Sequence, residues 1–106
     1  MRPKGKLVIV LEFESTVDID EHIFKSIKDS FLSTASAFGN ASVVEVTRDF
    51  KKGRRNISVR VIYKINCNIT GLVASLKTNS SKAVRRDIKH ISEGIWIRGY
   101  NYVSAM

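Results

Sequence analysis

The sequence predicts an α+β fold in the order strand, helix, strand, strand, helix, strand, on three observations. A short apolar, β-branched run opens the chain at Lys6 to Phe13. An apolar stripe at helical spacing follows, and then two extended runs joined by a tight Gly-containing turn.

Lys6 to Phe13 (Lys-Leu-Val-Ile-Val-Leu-Glu-Phe) has no helical period and reads as a buried strand. Ile23, Ile27, Phe31, Ala35 and Phe38 recur at spacings that line one face of a helix. Asp18 or Asp20 can cap that helix, and Gly39-Asn40 ends it. Ala41 to Phe50 holds Val43-Val44-Glu45-Val46-Thr47, a second strand. Lys51-Lys52-Gly53-Arg54-Arg55 is a basic turn leading into a strand from Asn56 to Ile65. There Ile57, Val59, Val61, Tyr63 and Ile65 alternate with Ser58, Arg60, Ile62 and Lys64, so one face meets the core and the pair forms a hairpin.

Asn66 to Thr70 is expected as a loop, with Thr70 as a cap. A short helix over Gly71 to Lys77 presents Leu72, Val73 and Leu76. Thr78-Asn79-Ser80-Ser81 is expected to interrupt it, before a second helical stretch from Ser81 to Ile91. Gly94 closes the helical region. Ile95 to Val103 is the last strand, with Ile95, Ile97 and Val103 on one side and Trp96, Arg98, Tyr100 and Tyr102 on the other. With no repeat or linker, residues 1–106 read as a single domain. The element order is that of the ferredoxin-like βαββαβ fold, an antiparallel sheet with helices on one face.

The 106 residues suffice for one core. The single proline and the absence of a polar low-complexity tract argue against disorder. No apolar run approaches the roughly 20 residues that cross a bilayer, so no membrane partner is expected. Met1-Arg2-Pro3-Lys4 is basic but is followed by no signal-peptide apolar region. The lone Cys67 fits a reducing compartment, and a cytoplasmic location is expected.

An enzyme is not expected. His22 and His90 are the two histidines, and neither stands in a metal motif. Gly53 and Gly71 are isolated, so no phosphate-cradling loop is present. Cys67 has no nearby histidine in sequence to activate it. No catalytic residue, metal or cofactor is assigned. A remnant nuclease using Asp49 or Glu45 with a metal is the weakest of the readings left open.

Net charge is +8, and the isoelectric point is about 9.9. Such a balance is the electrostatic footprint of a nucleic-acid binder. Carboxylates concentrate in the first 30 residues and cations from Arg48 onward, so the two signs are expected to separate in space. Lys82, Arg85, Arg86 and Lys89 fall at i, i+3, i+4 and i+7, one face of a helix whose other face carries Val84, Ile88 and Ile91. The turn supplies Lys51, Lys52, Arg54 and Arg55; Lys77 and Arg98 complete the expected phosphate contacts. The aromatic strand face has two open readings, base stacking and a homodimer seam.

The second half resembles the small single-tyrosine HUH transposases, including the REP-associated kind. Leu72-Val73-Ala74-Ser75-Leu76-Lys77 is similar to their helix with an apolar pair before Leu-Lys, and Ser80-Ser81-Lys82-Ala83-Val84-Arg85-Arg86-Asp87-Ile88 to the Ser-x-basic helix that follows it. Ile95-Trp96-Ile97-Arg98-Gly99-Tyr100-Asn101-Tyr102-Val103 is similar to their closing strand, and Lys6 to Phe13 to the opening one. The family's His-hydrophobe-His motif falls here on Asn56-Ile57-Ser58, and its tyrosine-bearing helix lies past the last strand, where this sequence ends. The resemblance implies a retained scaffold without the chemistry. The expectation is a non-catalytic protein binding hairpin or single-stranded DNA, or structured RNA, with DNA favoured and a dimer with joined sheets. The alternative is a small basic protein-interaction module, an adaptor or inhibitor docking on an acidic protein surface.

Overall fold

The structure, a computed structural model, describes residues 6–104, and the side chains of 7–103 among them. The basic start Met1-Arg2-Pro3-Lys4 lies outside the described residues. The elements are β1 (Lys6–Glu14), α1 (Glu21–Phe38), β2 (Ala41–Arg48), β3 (Asn56–Lys64), α2 (Ile69–Asp87) and β4 (Asn101–Ser104). Four antiparallel strands lie in the order β2-β3-β1-β4, the ferredoxin-like arrangement that the element order predicts.

Alternation sets the two faces of the sheet. Ile9, Leu11 and Phe13 of β1 pair with Val61, Val59 and Ile57 of β3, and all six are buried. The α1 stripe of Ile23, Ile27, Phe31 and Ala35 and the α2 residues Leu72, Val73, Leu76 and Val84 close over them. Facing the other way, Glu12 pairs with Ser58 and Glu14 with Asn56. Asp20 caps α1, its carboxylate accepting from the Ile23 N–H at 2.9 Å. Gly39 ends the helix at φ 99°, backbone that a side chain rarely tolerates.

Four expectations about α2 and β4 need correction. Asn68, not Thr70, caps α2, accepting from the Gly71 N–H at 3.0 Å. The helix is not interrupted at Thr78-Asn79-Ser80-Ser81. Ser80 bonds back to the Leu76 carbonyl at 2.6 Å, and Ser80 and Ser81 are both buried under the chain that follows. The helix also ends earlier than expected, at Asp87. Ile88 is extended, and Ile91 reaches the core through a turn closed by its N–H on the Ile88 carbonyl. Last, β4 covers only Asn101–Ser104. Residues 95–100 form a strap joined to the sheet by one bridge, Ser15 to Trp96. The strap leaves the ladder because Lys77 takes two of its carbonyls and Gly99 turns at φ 86°.

The expected aromatic strand face divides accordingly. Trp96 turns inward against Phe13 and Phe31, with centroids 5.6 and 6.1 Å away, while Tyr102 stays exposed. Ile65 follows β3 and is exposed rather than part of its inner face.

Candidate nucleic-acid interface

The topology carries two basic stretches, distant in sequence, to one end of the sheet. β1 and β2 end there and β3 begins there, so the 49–55 turn projects from it. α2 runs back towards the same end and delivers Arg85, Arg86 and the strap. Residues 14–19 lie between the two and bond to both. The Ser15 N–H donates to the Arg55 carbonyl at 2.7 Å and the Ile19 N–H to the Arg54 carbonyl at 2.9 Å. On the other side, the Thr16 N–H donates to the Ile95 carbonyl at 2.6 Å, and the Ile97 N–H to the Glu14 carbonyl at 2.9 Å.

The turn itself is tightly bonded. The Asp49 N–H donates to the Asn56 carbonyl, and the Asp49 carbonyl accepts from the N–H groups of Lys52 and Gly53. Gly53, at φ 131°, takes a conformation few other residues adopt. Lys51 and Arg54 are exposed and make no ion pair among the described residues. Lys52 and Arg55 differ. Lys52 pairs with Glu12 at 2.9 Å, a hydrogen bond that raises its pKa, and Arg55 pairs with Asp18 at 3.0 Å. The expected separation of early carboxylates from late cations therefore fails. The antiparallel order puts the end of β1 and the entry to α1 beside the tip.

On α2, the expected single cationic face divides into two. Arg85 and Arg98 line a groove of about 490 Å³ with Lys77, Thr78 and Trp96. Lys82 and Arg86 line another, of about 590 Å³, between α1 and α2. Arg86 is bonded to Asp87 at 2.8 Å. With Ser26 also donating to it, the Asp87 carboxyl is held below the usual carboxylate range, chiefly by Arg86. Lys89 lies beyond the helix, exposed in the turn that follows. Lys77 is committed to structure. Its ammonium donates to the carbonyls of Ile97 at 3.1 Å and Gly99 at 2.6 Å and lies 5.7 Å from the Phe13 ring centroid, and burial lowers its pKa.

A cleft of about 190 Å³ opens on the outer sheet face, between the turn and the strap. Glu12, Glu14, Asp49, Asn56, Ser58 and Asn101 line it, with Lys52 and Arg98 at its flanks. Asn56 and Ser58 bring an amide and a hydroxyl to this cleft, weak ligands for a transition metal. Among the described residues, no three His, Cys, Asp or Glu side chains gather closely enough to hold a metal ion. Glu45 stands apart from Asp49, opposite Arg60 on the sheet. Among the same residues no helix is long and apolar enough to cross a membrane.

Arg48 is a residue that the sequence reading missed. Its guanidinium carbon lies 5.1 Å from the Phe24 centroid and 5.0 Å from the Phe50 centroid, between the two rings. The available signal was a cation two positions before an aromatic residue at a strand end.

No protein-family model matches the chain, and no curated protein matches it in sequence. Solved structures match its fold. A candidate transposase from Deinococcus radiodurans R1 superimposes with a TM-score of 0.82 at 15% identity, over 100% of this chain and 86% of that one. A REP-associated tyrosine transposase bound to a REP hairpin gives a TM-score of 0.64 at 9% identity, over 100% of this chain and 59% of that one. The chain has a transposase-like fold.

Proposed function

We propose that the chain is a non-catalytic nucleic-acid-binding protein, which takes hairpin or single-stranded DNA, or structured RNA, at the end of the sheet where its basic elements meet. One observation carries the reading: residues 14–19 bond both to the basic turn and to the strap beside α2, which holds the two at one end of the sheet. Lys51 and Arg54 on one side, and Arg85, Lys89 and Arg98 on the other, serve as phosphate contacts, with Lys82 outlying. Lys52, Arg55 and Arg86 are partly neutralised by their carboxylate partners and contribute less.

The fold likeness to a transposase bound to a REP hairpin supports this reading and favours DNA. Residue type supports the non-catalytic part of the reading: Asn56 and Ser58, where the resemblance places the family's imidazoles, are poor metal ligands. The experiment is fluorescence-anisotropy binding of a DNA hairpin, a single strand and an RNA hairpin across a salt series. The wild type is compared with the Arg85→Ala/Arg98→Ala double variant. Loss of two phosphate contacts weakens binding and lowers the slope of log affinity against log salt by roughly 1.4–1.8. Unchanged affinity and slope would remove these arginines from the interface. No binding even at low salt, with a protein partner surviving nuclease treatment, would favour the adaptor or inhibitor instead.

A further inference from the structure

We propose that Phe50 is a stacking platform for one unpaired nucleobase, with Lys51 and Arg54 holding the adjoining phosphates; the inference rests on the nucleic-acid reading above. Of the five phenylalanines, Phe13, Phe24, Phe31 and Phe38 are buried or half-buried in and around the core. Phe50 is 63% exposed. Scattered exposed apolar residues are ordinary on protein surfaces. Three features distinguish this one.

First, the ring is positioned. The Arg48 guanidinium lies over it at 5.0 Å and is itself held over Phe24 of α1 at 5.1 Å. Second, the turn is set before any ligand arrives, by the three backbone bonds around Asp49 and by the ion pairs of Lys52 with Glu12 and Arg55 with Asp18. A fixed aromatic surface loses little conformational entropy on binding. Third, the ring has free cations beside it. Lys51 and Arg54 are exposed and make no ion pair among the described residues, whereas Lys52 and Arg55 of the same turn are paired with Glu12 and Asp18.

An exposed ring among cations matches the alternation of base and phosphate along an unpaired strand. It does not match a duplex, whose bases are stacked on each other. The ligand class is therefore an unpaired segment, such as a hairpin loop or a single-stranded flank, read without strong sequence preference because every base has a π face.

The test uses the full chain and three DNA probes: a single strand, a hairpin with 2-aminopurine at an unpaired loop position, and a blunt duplex. Phe50→Ala should weaken single-strand and hairpin binding by about 5- to 100-fold. The salt slope should stay unchanged because no phosphate contact is lost. Phe50→Trp should retain binding, and Phe50→Leu, which keeps apolar bulk at the tip, should behave like Phe50→Ala. The 2-aminopurine emission should fall on binding the wild type and not on binding Phe50→Leu. Duplex binding should be the same for all four proteins.

If Phe50→Leu binds the single strand as the wild type does, the platform is disproved and the nucleic-acid reading stands. An equal loss on all three probes also disproves it, since the ring would then only shape the tip. A wild type that binds none of these probes disproves the platform, and one that also fails to bind the RNA hairpin at low salt overturns the nucleic-acid reading as well.

Discussion

Ser80 has no exposed surface in the middle of α2, and its hydroxyl works in two directions. It donates to the Leu76 carbonyl one turn back and accepts from the Trp96 indole N–H at 2.8 Å. A serine inside a helix is usually a weak point because its side chain competes for backbone groups. Here that competition is absorbed by bonding back within the helix, and the remaining lone pair anchors the strap. Ser80→Ala should therefore destabilise the protein by about 1–2 kcal/mol, because the lost partner of a half-buried indole N–H outweighs alanine's better helix propensity. Urea unfolding measures the loss, and Trp96, the only tryptophan, reports the local change by fluorescence. In a double-mutant cycle with Trp96→Phe, which has no N–H to strand, the two effects should fall short of their sum. Full additivity would mean that the bond carries no energy.

The first turn of α2 shows how a cap and a glycine depend on each other. The Asn68 side chain accepts from the Gly71 N–H, and a Cβ at position 71 would come within 2.8 Å of the Asn68 amide nitrogen. Gly71→Ala should therefore displace the cap and forfeit the usual gain of up to about 1 kcal/mol in helix propensity. Asn68→Ala alone should cost about 1 kcal/mol. With Asn68 already alanine, Gly71→Ala should become stabilising; thermal unfolding of the four proteins decides, and equal effects in both backgrounds would refute the coupling. The same helix marks where the fold was legible in the sequence and where it was not. α1 and the β2–β3 hairpin follow from single periodicities, each with a cap or a turn at its ends. α2 does not, because Thr78-Asn79-Ser80-Ser81 has the composition of a break, and only the strap, far away in sequence, converts Ser80 and Ser81 into buried helix residues. The closing strand was misread for a matching reason. The apolar alternation from Ile95 continues through residues whose carbonyls are taken by Lys77 rather than by β1. At the candidate site the basic stretches were legible as charge runs. Their neutralisation was not, since nothing in a linear pattern pairs Lys52 with Glu12 across 40 positions.

At the scale of the whole molecule, the question is how a net charge of +8 is distributed. The antiparallel order brings the early carboxylates to the same end as the late cations, so the positive field there is a difference between two neighbouring sets of charge. Asp18, exposed and paired with Arg55, is one removable member of the negative set. Asp18→Asn raises the formal net charge from +8 to +9 and leaves Asp20 as the cap of α1. An exposed ion pair is worth about 0–1 kcal/mol, so the thermal midpoint should barely move. Binding should respond more. With Arg55 released to a phosphate, DNA affinity should rise, and its salt dependence should steepen by up to about 0.7–0.9 in slope. The combination is diagnostic: a variant that folds as the wild type does, and binds more tightly with a steeper salt slope, places Arg55 at the interface. Unchanged affinity and slope would leave Arg55 as a structural tie between the tip and the entry to α1. The phosphate path would then run through Lys51, Arg54 and the arginines beside the strap.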